Sequence, residues 1–341
     1  MINPTQVATF LIGAMLSAGT LCGDFHPAVA GPVAASGEAA GAAPKMSAAA
    51  PATGSLSKTP AVSAETAAPV APQPADQRPA TEPRGRAYLF RGALGPFFSR
   101  GIDRLTDRIE RAGFKAEVYE FTICRLIAEK AIRQYREDPA PIILIGHSMG
   151  GYCALKFAEI LQAEDIPVSL VVAIDPAHVS PRVPLNVERF INIFLSDSVL
   201  GGGDVVQTPG FRGHYASFDL SKQDDVTHIN IEKTNSIQEQ LVTKIQQLAT
   251  TPANAEGEAV PIRYVLPPNS AIELWDSGTP VFARPGDTLQ TLAEFYHVPL
   301  WSLAQINPGP DSAPLMPGQR VIVPRHLMPL ATVSSQSPSK R

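Results

Sequence analysis

Residues 141–152 read PIILIGHSMGGY. The run IILI has no polar alternation, so it predicts a strand buried on both faces, as in the middle of a parallel sheet. The next five residues, Gly146-His147-Ser148-Met149-Gly150, fit the pattern G-x-S-x-G. In that pattern the serine occupies a tight, strained turn between a strand and a helix, and its hydroxyl stands at the carboxyl edge of the sheet. Side chains at Gly146 and Gly150 would collide across such a turn. A helix starting near Met149 directs its amide N–H groups and dipole toward negative charge developing at an attacked carbonyl. Ser148 is therefore the candidate nucleophile. The alternative, an incidental glycine-rich turn, does not account for the strand before it and the helix after it.

Outward from this stretch, strands alternate with helices. RAYLFRGALG begins at Arg86 as a strand and turns at glycines; residues 100–114 place Ile102, Leu105, Ile109 and Ala112 at helical spacing. KAEVYEF is a strand, TICRLIAEKAIRQYRE a helix, YCALKFAEILQAE a helix, VSLVVAID and RFINIFLSD strands, and NSIQEQLVTKIQQLAT a closing helix. Such alternation implies right-handed crossovers and a parallel sheet. One compact domain is expected over 86–250 and a linker over 251–279, in which IRYVLPP and AIELW have the apolar content to pack on either neighbour. The module after it then folds separately.

Elsewhere the composition is less structured. Residues 7–22 form an uncharged apolar run, short for a membrane span, and AVA at 28–30 suits a cleavage site, so 1–30 reads as an export signal. An uncleaved anchor and a lipid on Cys22 are the alternatives. Ten of the 33 prolines lie between 26 and 87, a stretch without Phe, Trp, Tyr or Ile. It cannot bury enough apolar surface to offset its ordering entropy, and 31–85 is expected to be a disordered linker. A net charge of −4 gives no reason to expect nucleic acid or an anionic membrane as partner. Three cysteines are too few for a disulfide scaffold; Cys124 and Cys153 lie on neighbouring helices, either paired after export or as buried thiols. No spacing suggests a metal site.

A serine nucleophile needs a base. His26 lies in the linker, and His297 and His326 in the C-terminal module. His147 is beside the nucleophile and points away from it, which suits packing. His178, His214 and His228 remain. Where a G-x-S-x-G turn carries the nucleophile, the chain order is serine, acid, histidine. The histidine then sits in the loop before the last helix, as His228 does in DDVTHINIEKTNSIQEQ. The acid holds and orients that histidine. Asp175 and Asp197 both end strands, and the pattern excludes neither. The oxyanion donors are expected to be the N–H groups of Met149 and Ala93, with Gly92 allowing close backbone approach.

These residues make 86–250 resemble the α/β-hydrolase family, in a short form with flanking helices. LFRGALG stands where many lipases and esterases carry a His-Gly turn, with Arg91 in place of the histidine. AIDPAH is similar to the Asp-Pro-Ala turn that supplies the acid in one group of lipases, and this favours Asp175. The resemblance implies acyl chemistry without naming the acyl substrate.

The segment from 281 on is similar to a LysM domain, a small βααβ module placed at 280–325, with a tail over 326–341. VFARPGDTLQTLAEFYHV matches its opening strand, turn and first helix, PLWSLAQINP its second helix, and LMPGQRVIVP its closing strand. The resemblance implies binding of N-acetylglucosamine-containing glycans, usually peptidoglycan or chitin. By position, Gly286, Asp287, Thr288 and Leu289 would line one side of the groove, and Asn307 and Pro308 would lie near the other. Without the resemblance, PGDTL reads as a turn capping a helix through Asp287 or Thr288. Asp311 and Ser312 are inserted before the closing strand.

The whole chain is thus expected to be an exported, wall-associated serine hydrolase using Ser148, His228 and Asp175, with no metal or organic cofactor. The alternatives are a non-catalytic glycan-binding protein on a degenerate hydrolase fold, which Arg91 favours, and an acyltransferase using the same residues.

Overall fold

The computed structural model describes residues 85–327, except 94, 96–98, 250, 252 and 254–256. The expected export signal (1–30), nearly all of the expected linker over 31–85 and the residues beyond 327 lie outside the described residues.

The strands β1 (Arg86–Arg91), β2 (Lys115–Glu120), β3 (Ile142–His147), β4 (Leu170–Ile174), β5 (Arg189–Phe194), β6 (His214–Asp219) and β7 (Ile262–Val265) form one sheet in the order β2-β1-β3-β4-β5-β6-β7. Every neighbouring pair is parallel. Helix α1 (Arg100–Arg111) connects β1 to β2, α2 (Cys124–Glu137) connects β2 to β3, α3 (Met149–Gln162) connects β3 to β4, and α4 (Asn235–Leu248) precedes β7. Alternate strand residues face opposite ways, so one strand feeds two cores. Leu89, Ile143, Ile145 and Val172 pack with α1 and α4, while Phe90, Leu144, Val171 and Ala173 pack with α2 and α3. All six residues of β3 are buried, as its unbroken apolar run predicts.

No helix intervenes between β4, β5 and β6. Val183 and Val205, from the loops that replace helices there, close the second core. β6 is absent from the reading of the sequence because HYASFD carries three polar residues among six. Each has a partner: His214 meets the buried Ser277, Ser217 bonds the buried Asn192, and Asp219 accepts the backbone N–H groups of Ser196 and Ser221.

The C-terminal module pairs β8 (Trp275–Phe282) antiparallel with β9 (Arg320–His326) around α5 (Leu289–Tyr296) and α6 (Leu300–Ile306). Leu289, Leu292, Ala293, Val298, Leu303, Val321 and Val323 make its core. Thr288 caps α5 by accepting the Thr291 N–H. The module extends to Leu327, which is buried in the first sheet core.

The expected linker over 251–279 is corrected here, because the segment packs into the sheet and the module. Segment 251–279 supplies β7, the seventh strand, and the first half of β8. Aromatic rings run from the sheet into the module: Phe218 and Tyr264 contact Trp275, and Trp301 of α6 meets Tyr264 edge-on at 5.7 Å. The Gln305 amide accepts the Val265 N–H at 3.0 Å and donates to the Val265 carbonyl at 2.8 Å, satisfying that residue at the outer edge of β7. Asp276 is fully buried, with Lys244 Nζ at 2.6 Å, His214 Nδ1 at 3.4 Å and Arg189 Nε at 3.7 Å. Burial alone would raise its pKa, but the hydrogen bond from His214 and the charge of Lys244 hold it below the usual carboxylate range. The partners are distant in sequence, which is why the segment reads as linker.

Candidate active site

Ser148 joins β3 to α3 at φ 57° and ψ −122°, a backbone conformation that costs a non-glycine residue energy. Its N–H donates to Ile174 O at 3.0 Å, and its carbonyl accepts the Gly151 N–H at 3.0 Å. The glycines are sterically required. A Cβ on Gly146 would overlap the Gly150 carbonyl, and one on Gly150 would overlap the Phe90 carbonyl. A Cβ on Gly92 would stand 2.8 Å from Ser148 Cβ, so the backbone preceding Ala93 passes directly against the serine. Met149 begins α3, with its amide at the helix N-terminus.

Asp175 follows β4 at φ 40° and is fully buried. Its Oδ1 accepts N–H groups of Gly202 at 2.8 Å and Leu195 at 3.1 Å. Its Oδ2 accepts from His228 Nδ1 at 2.6 Å. Gly201 belongs to this cage, since a Cβ there would collide with the carboxyl carbon. The loop that replaces a helix after β5 thus brings two backbone donors and a glycine to the acid.

His228 lies in a tight turn closed by Asn230, whose Oδ1 accepts the Thr227 N–H at 2.7 Å. Ile231 anchors the turn in the core. The buried Glu232 carboxyl packs on Gly101 at the start of α1, and Gln238 Nε2 donates to Glu232 O at 2.7 Å and Gly101 O at 2.9 Å. With Nδ1–H directed to Asp175, the other ring nitrogen, Nε2, is left to exchange a proton.

The other candidates lie elsewhere. Asp197 is exposed in the loop after β5. His178 is exposed, its Nε2 against Ser198 O at 3.3 Å. His214 starts β6 and belongs to the buried Asp276 cluster, at the opposite strand ends from Ser148. His147 is buried, and its ring lies 4.7 Å from that of His228. Its Nε2 donates to His228 O at 2.8 Å, and its Nδ1 lies 2.9 Å from Ser99 Oγ. Burial, with the neighbouring His228, holds its pKa down at about 3. The sequence carries no signal for these contacts, which join positions 81 and 48 residues apart.

The Arg91 side chain pairs with Asp103 and with Glu120 at 2.9 Å. Those carboxylates draw it onto α1 and β2. Cys124 and Cys153 form a disulfide between α2 and α3.

In the C-terminal module, Gly286 is exposed at φ 90° with open space around it. Asp287 Oδ2 accepts the Arg284 N–H at 2.7 Å, and its carbonyl accepts the Leu315 N–H at 2.8 Å. Leu289 points into the module core. The Asn307 amide is bonded to Ile322 N and O, each at 2.7 Å, and to Leu303 O at 3.0 Å. Pro308 is exposed. The Asp311 carbonyl accepts the Gln290 N–H at 3.3 Å, so the inserted residues tie the two loops together.

Residues 85–227 match the alpha/beta hydrolase family, and residues 283–324 match the LysM domain. No curated protein matches the sequence. Among solved structures, the chain is similar to a hydrolase of the alpha/beta superfamily from Xanthomonas campestris pv. campestris, at 16% identity, 51% coverage of this chain, 97% of that one and a TM-score of 0.26. An esterase domain from a Rhodothermus marinus protein is 17% identical over 48% of this chain and 73% of that one, with a TM-score of 0.27. An alpha/beta hydrolase superfamily protein from Enterococcus faecalis is 17% identical over 52% and 64%, with a TM-score of 0.22. At such TM-scores these likenesses add nothing to the two family matches.

Proposed function

We propose, from an alpha/beta hydrolase region and a LysM domain on one chain, an exported serine hydrolase. It cleaves ester or thioester acyl bonds and is held on peptidoglycan, or another N-acetylglucosamine glycan, by the LysM domain. The observation that carries the catalytic reading is the 2.6 Å bond from His228 Nδ1 to the buried Asp175 carboxylate, with the His228 ring 4.7 Å from that of His147, the residue before Ser148. In the proposed reaction Ser148 Oγ attacks the acyl carbon while His228 Nε2 takes its proton. The carbonyl π electrons move onto oxygen, facing the N–H groups of Met149 and Ala93. Asp175 orients the imidazole and stabilises the imidazolium. Collapse expels the alkoxide or thiolate, which takes the proton from His228. Water repeats the sequence on the acyl-enzyme and frees the acid and the serine. Arg91 no longer favours a degenerate platform, because its guanidinium is engaged by Asp103 and Glu120.

The disulfide supports export, since such bonds persist in oxidising compartments. For the glycan groove, Gly286 and Pro308 offer exposed backbone, while the Leu289 side chain and the Asn307 amide are engaged inside the module.

The test uses the full chain. A fluorophosphonate probe should label wild type and not Ser148→Ala, and ester turnover should fall with the label. Both proteins should sediment with insoluble peptidoglycan and be released by soluble N-acetylglucosamine oligomers. Undiminished turnover in Ser148→Ala would sink the serine reading. Failure to sediment would sink the tether reading alone. Product analysis with added alcohols separates hydrolysis from acyl transfer.

A further inference from the structure

We infer that His147 is a positioning residue, which with Ser99 ties the loop of the proposed base to the loop of the proposed oxyanion donor; the inference rests on the serine-hydrolase reading above. Three hydrogen bonds carry it. The Gly92 N–H donates to Ser99 Oγ at 3.2 Å. Ser99 Oγ and His147 Nδ1 are 2.9 Å apart, and His147 Nε2 and the His228 carbonyl are 2.8 Å apart. The proton placement is dictated by chemistry. A carbonyl only accepts, so Nε2 carries the hydrogen. Burial keeps the ring neutral, so Nδ1 has a lone pair and the Ser99 hydroxyl donates to it. The hydroxyl oxygen is then left to accept from Gly92. Each link of the chain has one donor and one acceptor, and Ser99 and His147 are both buried.

The two ends of this chain matter to the same reaction. Gly92 precedes Ala93 and packs against Ser148; the His228 carbonyl belongs to the residue whose ring faces Asp175. The ring of His147 also lies 4.7 Å from that of His228, tilted by 36°, and limits its sideways motion. The carboxylate fixes one edge of the His228 ring, and His147 fixes its backbone and one face. Displacing a reacting group by an ångström costs on the order of 100-fold in rate.

The experiment measures ester turnover, fluorophosphonate labelling and thermal melting on the full chain. His147→Phe keeps a planar ring and removes both hydrogen bonds. His147→Gln restores a donor toward the His228 carbonyl. Ser99→Ala removes the two upper links and leaves the bond from His147 to the His228 carbonyl. Expected are a kcat about 30–100-fold lower in His147→Phe with KM within about twofold, recovery to within about fivefold in His147→Gln, and a loss of about tenfold in Ser99→Ala. Because the chain acts as one unit, Ser99→Ala combined with His147→Phe should lose no more than His147→Phe alone. Wild-type kcat in His147→Phe would overturn the inference. So would a His147→Gln variant that melts like wild type and is no better than His147→Phe. Multiplying losses in the double variant would overturn it as well. If His147→Phe does not fold, Ser99→Ala decides through kcat at unchanged KM and through non-additivity with His147→Gln; a wild-type kcat there overturns it. In every arm Ser148→Ala must be inactive. If it is not, the serine reading fails first.

Discussion

At the scale of the residue, Asp175 and Asp197 look alike in sequence and differ in surroundings. Both come after strands. Only Asp175 receives two backbone N–H groups on one oxygen and an imidazole on the other. Such a carboxylate is fixed in orientation as well as in charge. Asp175→Asn should therefore lower kcat by up to about 10⁴-fold through the wrong tautomer of His228, while Asp197→Asn, at an exposed position, should stay near wild type. Steady-state ester kinetics on the two purified variants check this. Comparable small losses would remove Asp175 from the proposed triad. His214→Ala separates function from stability in the same assay. It should lower the melting temperature by breaking the Asp276 cluster and leave the kcat of the folded fraction nearly unchanged.

At the scale of the element, the sheet is conventional up to β4, and the site depends on where it departs from helix-strand alternation. The loops after β4 and β5 cover the core in place of helices, and the second of them also cages Asp175. The turn Ile231–Lys233 fastens the His228 loop to the first turn of α1 through Glu232. Burial pushes the Glu232 carboxyl up from 4.5 to about 7, against the opposing charges of Lys233 and Arg104. A carboxyl with a raised pKa holds its proton more tightly when folded. Its stabilising contribution is fully present below about 4.5 and lost as the pH rises through about 7. Glu232→Gln, which stays neutral, should be on the order of 3 kcal/mol more stable than wild type at pH 8 and little different at pH 4.5. Denaturant melts at the two pH values test the sign. Equal effects at both would show that the proton is not the cause.

At the scale of the whole molecule, the C-terminal module and the sheet share a structure. Trp275 and Leu327 belong to a core of the sheet, Asp276 is buried against Lys244, and Gln305 bonds Val265 at the edge of β7. The module meets the sheet at β7, four inter-strand steps of roughly 4.8 Å from β3, so about 19 Å from the strand bearing Ser148. In the proposed function the glycan groove therefore acts by local concentration, without touching the scissile bond. The docking also decides which truncations survive. A fragment 86–250 lacks Asp276 and leaves the buried Lys244 and Arg189 without that carboxylate, a loss of about 3–5 kcal/mol. It also loses β7 and Trp275. We expect that fragment to be insoluble or to melt far below the full chain, whereas a cut after Leu327 should melt normally. A fragment 86–250 with the melting temperature of the full chain would show that the docking contributes little.

The turn at Ser148 and the strand and helix around it were legible in the sequence, because sterics within ten residues dictate them. The same holds for the helices α1, α2 and α4, whose apolar spacing is local, and for the strand-helix-helix-strand pattern of the module. The sequence reduced the acid to two aspartates and the base to a preferred histidine. Tertiary structure decided the partner of Asp175, the backbone cage around it, the link from His147 to the His228 loop and the place of residues 251–279. Those features rest on contacts between positions tens of residues apart. Their energy comes from burying polar groups against partners that the local pattern does not reveal. β6 escaped the reading for the same reason: polar residues belong inside a sheet only where distant chain supplies their hydrogen bonds. β7 has only four residues, with Arg263 exposed, and its apolar content does not say which neighbour it joins.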